Sequence, residues 1–535
     1  MKGFQAACPA CAAPVRFKIS SSLVTVCEFC HSVVARGDKQ LLDLGKVSDL
    51  AETDSPLQLG LRGKYQGKSF ELVGRTQYRH AAGGVWDEWY AAFPNNRWGW
   101  LAEAQGRFYL TFERKVPDQS PLPPLGDLHA GGTVAYQEHT LSIAEVGRAT
   151  VAAAAGEIPW RLEPGSAHDY ADVYGPNGVF ATFDYSGETP KLYLGKEVTL
   201  NDLGIGPDVL GPEKTPRQIS ALQVNCPNCG GPLTLHVPDQ SQRVSCPNCV
   251  SLLDCHEGKL QYLTTLNLGK VKPVIPLGSE GTLRGTAYTV IGFMRRSVTE
   301  EGTDYFWSEY LLYNPRQGFR WLVHADGHWN FVEPVSPGDV QCSPRVARVA
   351  GRKFKIFQSG EASVRYVLGE FYWKVAVGER VNATDFIAPP EMLSIETSLA
   401  GPPLEGEAVE DAAHAASGML NPHADEVQYS LATYVPCQVI ERAFGLKGLK
   451  YGWKVAPNQP APVDKRIYVQ WLMFAIALIV MDGVFSSGIL HHEVSQFWFF
   501  MALAGLSVMP VIALLYSSSF ERSRWQDSQF SPYGE

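Results

Sequence analysis

Eight of the eleven cysteines stand in four Cys-x-x-Cys pairs, a spacing that is typical of metal binding. Two such pairs, separated by fifteen or sixteen residues, can close a tetrahedral Zn²⁺ site around a short hairpin. Four thiolates leave no open coordination position, so we expect each metal to have a structural role rather than a catalytic one. The ligands predicted for the two structural zinc ions are Cys8, Cys11, Cys27 and Cys30 in the first ribbon and Cys226, Cys229, Cys246 and Cys249 in the second.

A redox role and a docking role are the alternatives to a structural one. A thioredoxin-like redox site would need a single Cys-x-x-Cys motif in a βαβ context. Nucleic-acid docking would need a basic surface, yet residues 1–46 carry six Lys/Arg against three Asp/Glu, and residues 221–272 carry four against three. Because the whole chain has a formal net charge of −9, we predict no strong nucleic-acid contact and interpret each ribbon as a staple for a small lobe.

Three cysteines fall outside the pairs. Cys255, beside His256, lies close to the second ribbon in sequence and is a candidate spare ligand. Cysteine is among the residue types most often buried, so we favour a packed thiol at Cys255. The same interpretation applies to Cys342 and Cys437.

The chain repeats itself beyond the cysteines. Residues 65–74 are similar to residues 283–292, and an offset of 221 residues then relates Trp86 to Trp307. Glycine- and proline-containing turn sequence separates the paired aromatic residues, which predicts hairpins of short strands. With 11% aromatic residues, 50 Gly and 36 Pro, the composition also favours a mainly β fold, so we expect tandem β-barrel or sandwich-like modules.

Carboxylates beside aromatic residues recur in both copies. A carboxylate flanked by Trp or Tyr can bind a small organic cation such as a polyamine, through its charge and the ring quadrupole together. The alternative is a strand-end carboxylate satisfied by backbone N–H groups. The candidate ligand-binding residues are Glu88 and Glu309, near the matched tryptophans, and Glu157 and Glu370, in matched Gly-Glu-x-x-Trp segments.

The sequence names no catalytic residue. It contains no Gly-rich phosphate loop, no nucleophile elbow and no His-Glu-x-x-His pair. An enzyme is therefore disfavoured, and one that uses the glutamates as acid or base is kept as an alternative.

Two apolar runs, residues 467–485 and 497–516, lie near the C-terminus. At 1.5 Å per residue they span about 28 and 30 Å, which matches a hydrocarbon core and predicts a transmembrane helical hairpin. Lys and Arg flank the pair on its outer sides, whereas residues 486–496 contain neither. By the positive-inside rule, we expect both termini and the soluble modules in the cytoplasm. The lack of an apolar signal segment in residues 1–35 agrees with this expectation.

These observations predict a linear organisation. The predicted units are zinc ribbon 1 over 1–46, β module 1 over 51–210, zinc ribbon 2 over 221–265, β module 2 over 272–455 with an insertion near 399–421, the transmembrane hairpin over 465–520 and a cytoplasmic tail over 521–535.

The order of ribbon, Gly-aromatic β block, Gly-Glu-x-x-Trp segment and closing tyrosine segment occurs twice and is followed by the apolar hairpin. In this the chain resembles bacterial proteins that carry domain of unknown function 4178, over roughly 51–203 and 272–446. The resemblance implies a bacterial, largely β, membrane-associated module, loosely associated with polyamine-metabolism and envelope-stress genes. It therefore implies a location at the bacterial inner membrane.

We predict a membrane-anchored cytoplasmic binding or scaffold protein that recruits a protein partner or a small cationic ligand. An enzyme of unknown reaction and a nucleic-acid-sensing zinc-ribbon protein are the alternatives.

Overall fold

The computed structural model describes most of the chain and is mainly β, with two eight-stranded barrels in tandem. The predicted insertion near 399–421 lies almost wholly outside the described residues, as does the segment between the two apolar runs. The described residues are 4–36, 41–47, 55–80, 85–104, 106–117, 121–136, 139–206, 222–237, 241–256, 259–266, 271–300, 302–399, 426–486 and 496–533.

The first repeat consists of a ribbon followed by a barrel. Its ribbon strands are β1 (Phe4–Ala7), β2 (Pro14–Phe17), β3 (Val24–Val26), β4 (Ser32–Arg36) and β5 (Leu41–Lys46). Its remaining strands are β6 (Arg62–Tyr65), β7 (Lys68–His80), β8 (Val85–Phe93), β9 (Arg97–Ala104), β10 (Arg107–Arg114), β11 (Thr133–Tyr136), β12 (His139–Ile158), β13 (Ala167–Tyr174), β14 (Val179–Asp184) and β15 (Lys191–Val198).

Two antiparallel four-stranded meanders, β7–β10 and β12–β15, form the first barrel. The barrel closes because β10 pairs with β15 and β7 pairs with β12, so both edges of the sheet are satisfied. The ribbon extends the same sheet, since β3 pairs with the end of β12. Short 3₁₀ turns lie at Pro94–Asn96, Leu125–Asp127 and Pro176–Gly178.

The second repeat has the same plan. Its ribbon strands are β16 (Leu222–Asn225), β17 (Pro232–Leu235), β18 (Arg243–Ser245), β19 (Ser251–His256) and β20 (Lys259–Thr265). Its remaining strands are β21 (Glu280–Leu283), β22 (Thr286–Glu300), β23 (Thr303–Asn314), β24 (Gly318–Ala325), β25 (His328–Pro334), β26 (Val340–Ser343), β27 (Val346–Val349), β28 (Arg352–Phe371), β29 (Arg380–Ala388), β30 (Glu391–Leu399) and β31 (Val427–Val435), with a 3₁₀ turn at Pro337–Asp339.

Here β25 pairs with β31 and β22 pairs with β28, the same closures as in the first barrel. The ribbon again joins through its third strand, because β18 pairs with β28. The two repeats therefore share one topology, as the offset in the sequence predicts.

Glycines allow a close approach of two paired strands where each ribbon meets its barrel. A Cβ on Gly74 would lie 2.0 Å from the carbonyl oxygen of Glu157, and one on Gly156 would lie 2.2 Å from that of Val73. The second repeat has the same close approach between Gly292 and Glu370, at 2.5 Å. No side chain fits there, which explains the glycine in each Gly-Glu-x-x-Trp segment.

Three α-helices occur among the described residues: α1 (Cys437–Phe444), α2 (Lys465–Ser486) and α3 (Gln496–Arg524). Helix α1 packs on the second barrel through Ile440 and ends at Gly445, whose φ of 65° suits glycine. The hydroxyl of Tyr468 on α2 lies 2.8 Å from that of Ser517 on α3, so these two helices are in contact.

One helical segment of the described chain, Phe499–Arg524, is long and apolar enough to cross a membrane by its length and composition. The sequence predicts two spans, and the structure supports this single candidate. The first predicted span, 467–485, does lie within helix α2.

The residues after α3 pack against the second barrel. The Trp525 ring is 6% exposed and lies 5.5 Å from the ring of Phe357, centroid to centroid. The Ser528 hydroxyl donates a 2.5 Å hydrogen bond to the carbonyl of Phe357. The predicted tail over 521–535 thus fixes the end of α3 to the barrel.

Candidate functional site

The structure brings together all eight cysteines that are predicted as ligands. In each ribbon, the four Sγ atoms lie within 4.8 Å of one another. Cys8 and Cys30 are 3.7 Å apart, as are Cys11 and Cys27, and the matching distances in the second ribbon are 3.8 and 3.9 Å. Sulfur atoms at about 2.3 Å from a tetrahedral zinc ion would be about 3.8 Å apart. Both four-cysteine groups therefore fit a metal ion such as zinc.

The backbone conformation is the same at each Cys-x-x-Cys turn. The residue that follows the second cysteine has a positive φ, for example 63° at Ala12 and 58° at His31. Its N–H group donates to the carbonyl of the first cysteine, at 2.8 Å from Ala12 to Cys8. The same geometry recurs at Gly230 and Val250, which makes the four turns equivalent.

A serine supports one thiolate in each ribbon. Ser32 Oγ lies 3.4 Å from Cys30 Sγ, and Ser251 Oγ lies 3.1 Å from Cys249 Sγ. The Ser32 hydroxyl lowers the pKa of the Cys30 thiol to about 6. A thiol that ionises readily is suited to metal ligation, since the thiolate is the ligand.

The three remaining cysteines differ from one another. Cys255 and Cys437 are buried, at 2% and 6% exposure, as the sequence predicts. Cys342 is exposed, and its predicted burial is wrong because it lies on the short strand β26 at the surface of the second barrel.

Glu157 and Glu370 join each ribbon to its barrel. Both carboxylate oxygens of Glu157 accept hydrogen bonds from backbone N–H groups, at 2.6 Å from Lys18 and 2.9 Å from Ile19, and the Ser22 hydroxyl adds a third at 2.6 Å. In this repeat the strand-end alternative describes the geometry.

The second repeat repeats this clamp almost atom for atom. Glu370 accepts hydrogen bonds from the N–H groups of His236 and Val237, at 2.6 and 2.9 Å, and from the Ser241 hydroxyl at 3.0 Å. Burial raises the pKa of Glu370 to about 7 against the effect of these donors. The contacts of both glutamates are internal to the fold, so they are positioned as structural groups.

Glu88 faces the interior of the first barrel. Contacts between non-adjacent strands identify this face: Trp86 on β8 lies 5.9 Å from Tyr170 on β13, and Trp100 on β9 lies 4.7 Å from Tyr193 on β15. Trp86 and Tyr170 lie on strands separated by β7 and β12, so this pair meets across the inside of the closed sheet. Aromatic rings therefore line the space that Glu88 enters.

Tyrosine hydroxyls are the partners of Glu88. The Tyr90 hydroxyl lies 3.1 Å from the Glu88 carboxylate and accepts a 2.9 Å hydrogen bond from the Trp160 indole. Burial raises the pKa of Glu88 to about 7, the hydrogen bonds from Tyr90 and Tyr78 lower it, and the charge of Asp184 raises it further. This carboxyl group consequently titrates near neutral pH.

Asp172 is a second interior carboxylate, and it is not among the residues predicted from the sequence. It accepts a 2.6 Å hydrogen bond from the Thr182 hydroxyl. Burial raises its pKa to about 8, and the charges of Glu145 and Glu88 act in the same direction. Its counterpart in the second repeat is Asp385, at the same offset of 213 residues that relates Glu157 to Glu370. Asp385 pairs with Gln358 on β28 as Asp172 pairs with Glu145 on β12.

Glu145 and His80 form an ion pair at one end of this interior. Their side chains are 2.7 Å apart and are 27% and 17% exposed. The Tyr170 hydroxyl also donates to Glu145, at 2.5 Å. Against the opposing effect of burial, the interaction with His80 lowers the pKa of Glu145 and that with Glu145 raises the pKa of His80.

In the second barrel, an arginine compensates the charge of the interior glutamate. Glu309 occupies the position that corresponds to Glu88, and Arg296 lies 3.3 Å from it. The same guanidinium donates to Glu396 at 3.0 Å, and the indole of Trp307 donates to Glu309 at 2.6 Å. Burial raises the pKa of Glu309, and the charge of Arg296 opposes that effect.

Strand register shows which residue replaces Arg296 in the first barrel. Arg296 pairs across strands with Trp307, and Tyr78 pairs in the same way with Trp86. The first barrel therefore has a neutral tyrosine where the second has a cation. Arg107, which also approaches the first interior beside Tyr109, forms a bidentate ion pair with Glu197 at 2.8 and 2.5 Å.

Exposure separates the two interiors as well. Glu309, Arg296 and Asp385 are 8%, 6% and 7% exposed, which is the packing of a filled core. Glu88 and Asp172 remain half-buried, although rings and strands surround them. Glu88 and Asp172 are therefore more exposed than Glu309 and Asp385 of the second barrel, where Glu396 alone of the Arg296 partners is 29% exposed.

The two barrels touch near the Glu145 end. Glu145 forms an isolated antiparallel bridge with Glu426, the residue before β31. Burial and the charge of Glu145 raise the pKa of Glu426. The acidic interior of the first barrel therefore extends to the contact between the barrels.

These features define a tandem-barrel protein in which a four-cysteine ribbon precedes each barrel. Residues 58–200 and 276–404, which cover just over half of the chain, match DUF4178, a domain of unknown function. The protein belongs to the DUF4178 family, as the predicted resemblance implies. No curated protein matches the chain.

Proposed function

We propose that this protein is a membrane-anchored binding protein whose first barrel takes up a small organic cation. The observation that carries the proposal is the pair Glu88 and Asp172, two half-buried carboxylates that face one aromatic-lined interior and act on each other through their charges. Loss of a proton from either group leaves a buried negative charge that needs compensation.

An organic ammonium group fits this environment better than an anion or a neutral ligand. It can pair with Glu88 and Asp172, and it can contact the faces of the surrounding rings, of which Trp86 and Tyr193 are half-buried. A diamine or polyamine offers several such groups at intervals. This agrees with the polyamine association that the family resemblance implies.

The second barrel is proposed as a supporting unit. Arg296 already supplies a positive charge to Glu309 and Glu396. A second cation would compete with that guanidinium in a filled core.

We further propose that zinc occupies both four-cysteine groups and serves as a staple. Four thiolates saturate the ion, and each ribbon is too small to bury a large core. The hydrogen bonds that Glu157 and Glu370 accept from the ribbon backbone then hold each ribbon in a fixed position on its barrel.

For the anchor we propose a two-helix hairpin in the bacterial inner membrane, with the barrels and both termini in the cytoplasm. Helix α2 supports this because large apolar side chains such as Leu472 and Phe474 are more than half exposed, as is Met509 on α3. Free thiolates for zinc also require a reducing compartment.

The test is calorimetric titration of the detergent-solubilised, full-length protein with 1,4-diaminobutane, with 1,4-butanediol as the neutral control. We expect heat of binding for the diamine alone and at least a tenfold loss of affinity in Asp172→Asn, which corresponds to about 1.4 kcal/mol. Glu188→Gln, on an exposed turn, is the matched control and should bind as the unaltered chain does. Equal behaviour of diamine and diol, or full affinity in Asp172→Asn, would refute the proposal.

A further inference from the structure

The segment Gly445–Val455, between α1 and α2, is basic and aromatic. It contains Lys447, Lys450 and Lys454 and has no Asp or Glu. All three lysines are exposed. Two aromatic side chains are also exposed, Tyr451 at 59% and Trp453 at 77%. Lys454 Nζ lies 5.0 Å from the centroid of the Trp453 ring, so a cation and two exposed aromatic rings share this surface.

Hydrogen bonds fix the backbone of this exposed segment. His328 Nε2 lies 2.8 Å from the carbonyl of Lys454, and its Nδ1 lies 3.0 Å from the Tyr434 hydroxyl. The Leu449 N–H group donates to the Glu441 carboxylate at 2.9 Å. The backbone is therefore fixed on the second barrel, and the side chains of Tyr451 and Trp453 are held outward.

The same segment contacts the end of helix α3. The buried guanidinium of Arg524 donates to the carbonyls of Ala456 and Pro457, at 3.2 and 2.8 Å. Lys454 Nζ lies 3.0 Å from the Asp527 carboxylate. The basic segment is thus attached to the C-terminal end of α3, beyond its predicted span.

The distance along the helix matches the polar layer of a bilayer. Arg524 follows Ser517 by seven residues, or about 10 Å of helix, and Ser517 comes directly after the predicted apolar run. The headgroup region on one side of a bilayer is about 5–8 Å thick. Side chains of the length of Lys and Trp can cover the difference.

We propose that Gly445–Val455 lies on the membrane that holds α3 and binds the headgroups of its anionic phospholipids. Lys447 and Lys450 supply the charge for the negative surface, since Lys454 is paired with Asp527, and Trp453 and Tyr451 enter the interfacial layer that such rings prefer. This inference rests on the proposed membrane anchor. Beyond the anchor, the second barrel would contact the bilayer through the surface formed by Gly445–Val455.

The test is hydroxyl-radical footprinting of the full-length protein in nanodiscs of phosphatidylcholine, with or without phosphatidylglycerol, and in detergent. We expect oxidation of Trp453 and Tyr451 to fall several-fold in the phosphatidylglycerol discs relative to the other two. Tyr262, which is 43% exposed in the second ribbon, is the internal control that should not change.

A double variant, Lys447→Gln with Lys450→Gln, leaves the Lys454–Asp527 pair in place and should lose most of this protection. Lys68→Gln with Lys191→Gln removes two exposed lysines from the first repeat and should retain it.

Two failures can be told apart. If alkaline carbonate releases the chain from membranes, the anchor itself is refuted. If the chain resists extraction but Trp453 is oxidised equally in all three settings, or is protected equally with and without phosphatidylglycerol, the anionic-surface inference is refuted and the anchor stands. Unchanged protection in the Lys447/Lys450 variant would also refute it.

Discussion

Glu88 and Glu309 enter their barrels from equivalent strand positions, yet Tyr78 occupies in the first barrel the place that Arg296 occupies in the second. The two barrels therefore share one topology but differ in the charge that lies beside the interior glutamate. The second barrel compensates its interior acid with an internal cation. The first keeps its acids near their neutral forms, with Glu88 at a pKa of about 7 and Asp172 at about 8.

The first prediction concerns stability and pH. A raised carboxyl pKa means that the folded chain holds a proton that the unfolded chain has released, so unfolding becomes easier as pH rises from about 4 to about 8. We expect Asp172→Asn to weaken this dependence and to raise the free energy of unfolding at pH 8 by about 1 kcal/mol or more. Melting curves of the solubilised protein at pH 5 and pH 8 measure the effect. A variant no more stable than the parent at pH 8 would contradict it.

A second prediction follows for the proposed ligand. A cation pairs with ionised carboxylates, so its affinity should rise as Glu88 and Asp172 lose their protons around pH 7 and 8. Calorimetry at pH 7 in buffers of different ionisation enthalpy should show proton release on binding. Binding that is independent of pH, without proton release, would argue against these two groups as partners.

Arg296 provides a third prediction. Arg296→Met leaves Glu309 and Glu396 without their shared cation inside a filled core, and we expect a loss of about 3–5 kcal/mol of stability. Arg380→Gln, in the more exposed pair with Glu361, should cost about 1 kcal/mol or less. Thermal unfolding compares the two. Similar losses in both would show that the buried network does not hold the second barrel together.

The fourth prediction addresses the metal. Elemental analysis of the purified chain should find two zinc ions, and Cys27→Ser should remove one of them because it breaks the first four-cysteine group. Cys255→Ser, which alters a buried thiol outside both groups, is the control and should keep both ions. A Cys27→Ser protein that retained two ions would be inconsistent with this assignment.

The fifth prediction tests the clamp between ribbon and barrel. Glu370→Gln turns an amide N–H₂ group towards the N–H groups of His236 and Val237, so at least one donor loses its acceptor. We expect a cost of about 1–3 kcal/mol and faster hydrogen exchange in residues 222–256. Glu361→Gln, on the exposed surface, should change neither. Unaltered exchange in the second ribbon would show that other contacts hold it.

The four glutamates predicted from the sequence as ligand-binding residues have three different roles in the structure. All four recur beside aromatic residues, and the repeat treats them as one kind. The structure divides them: Glu157 and Glu370 hold backbone N–H groups, Glu309 is neutralised by Arg296, and Glu88 lies half-buried beside tyrosine hydroxyls. Asp172 is missed because it does not stand in one of the matched tryptophan-containing segments, although Asp385 recurs at the same position of the second repeat.

What the sequence by itself determines is local or periodic: the two four-cysteine ribbons, the duplication, the β-rich modules and an apolar helix near the C-terminus. Metal ligands two residues apart lie on one turn, and an apolar run of this length needs no partner to be recognised. Only the tertiary structure decides which carboxylates share a space and which receive a cation. That choice depends on closure between strands such as β7 and β12, which pair side by side although their paired residues, for example Tyr78 and Val151, are distant in the chain.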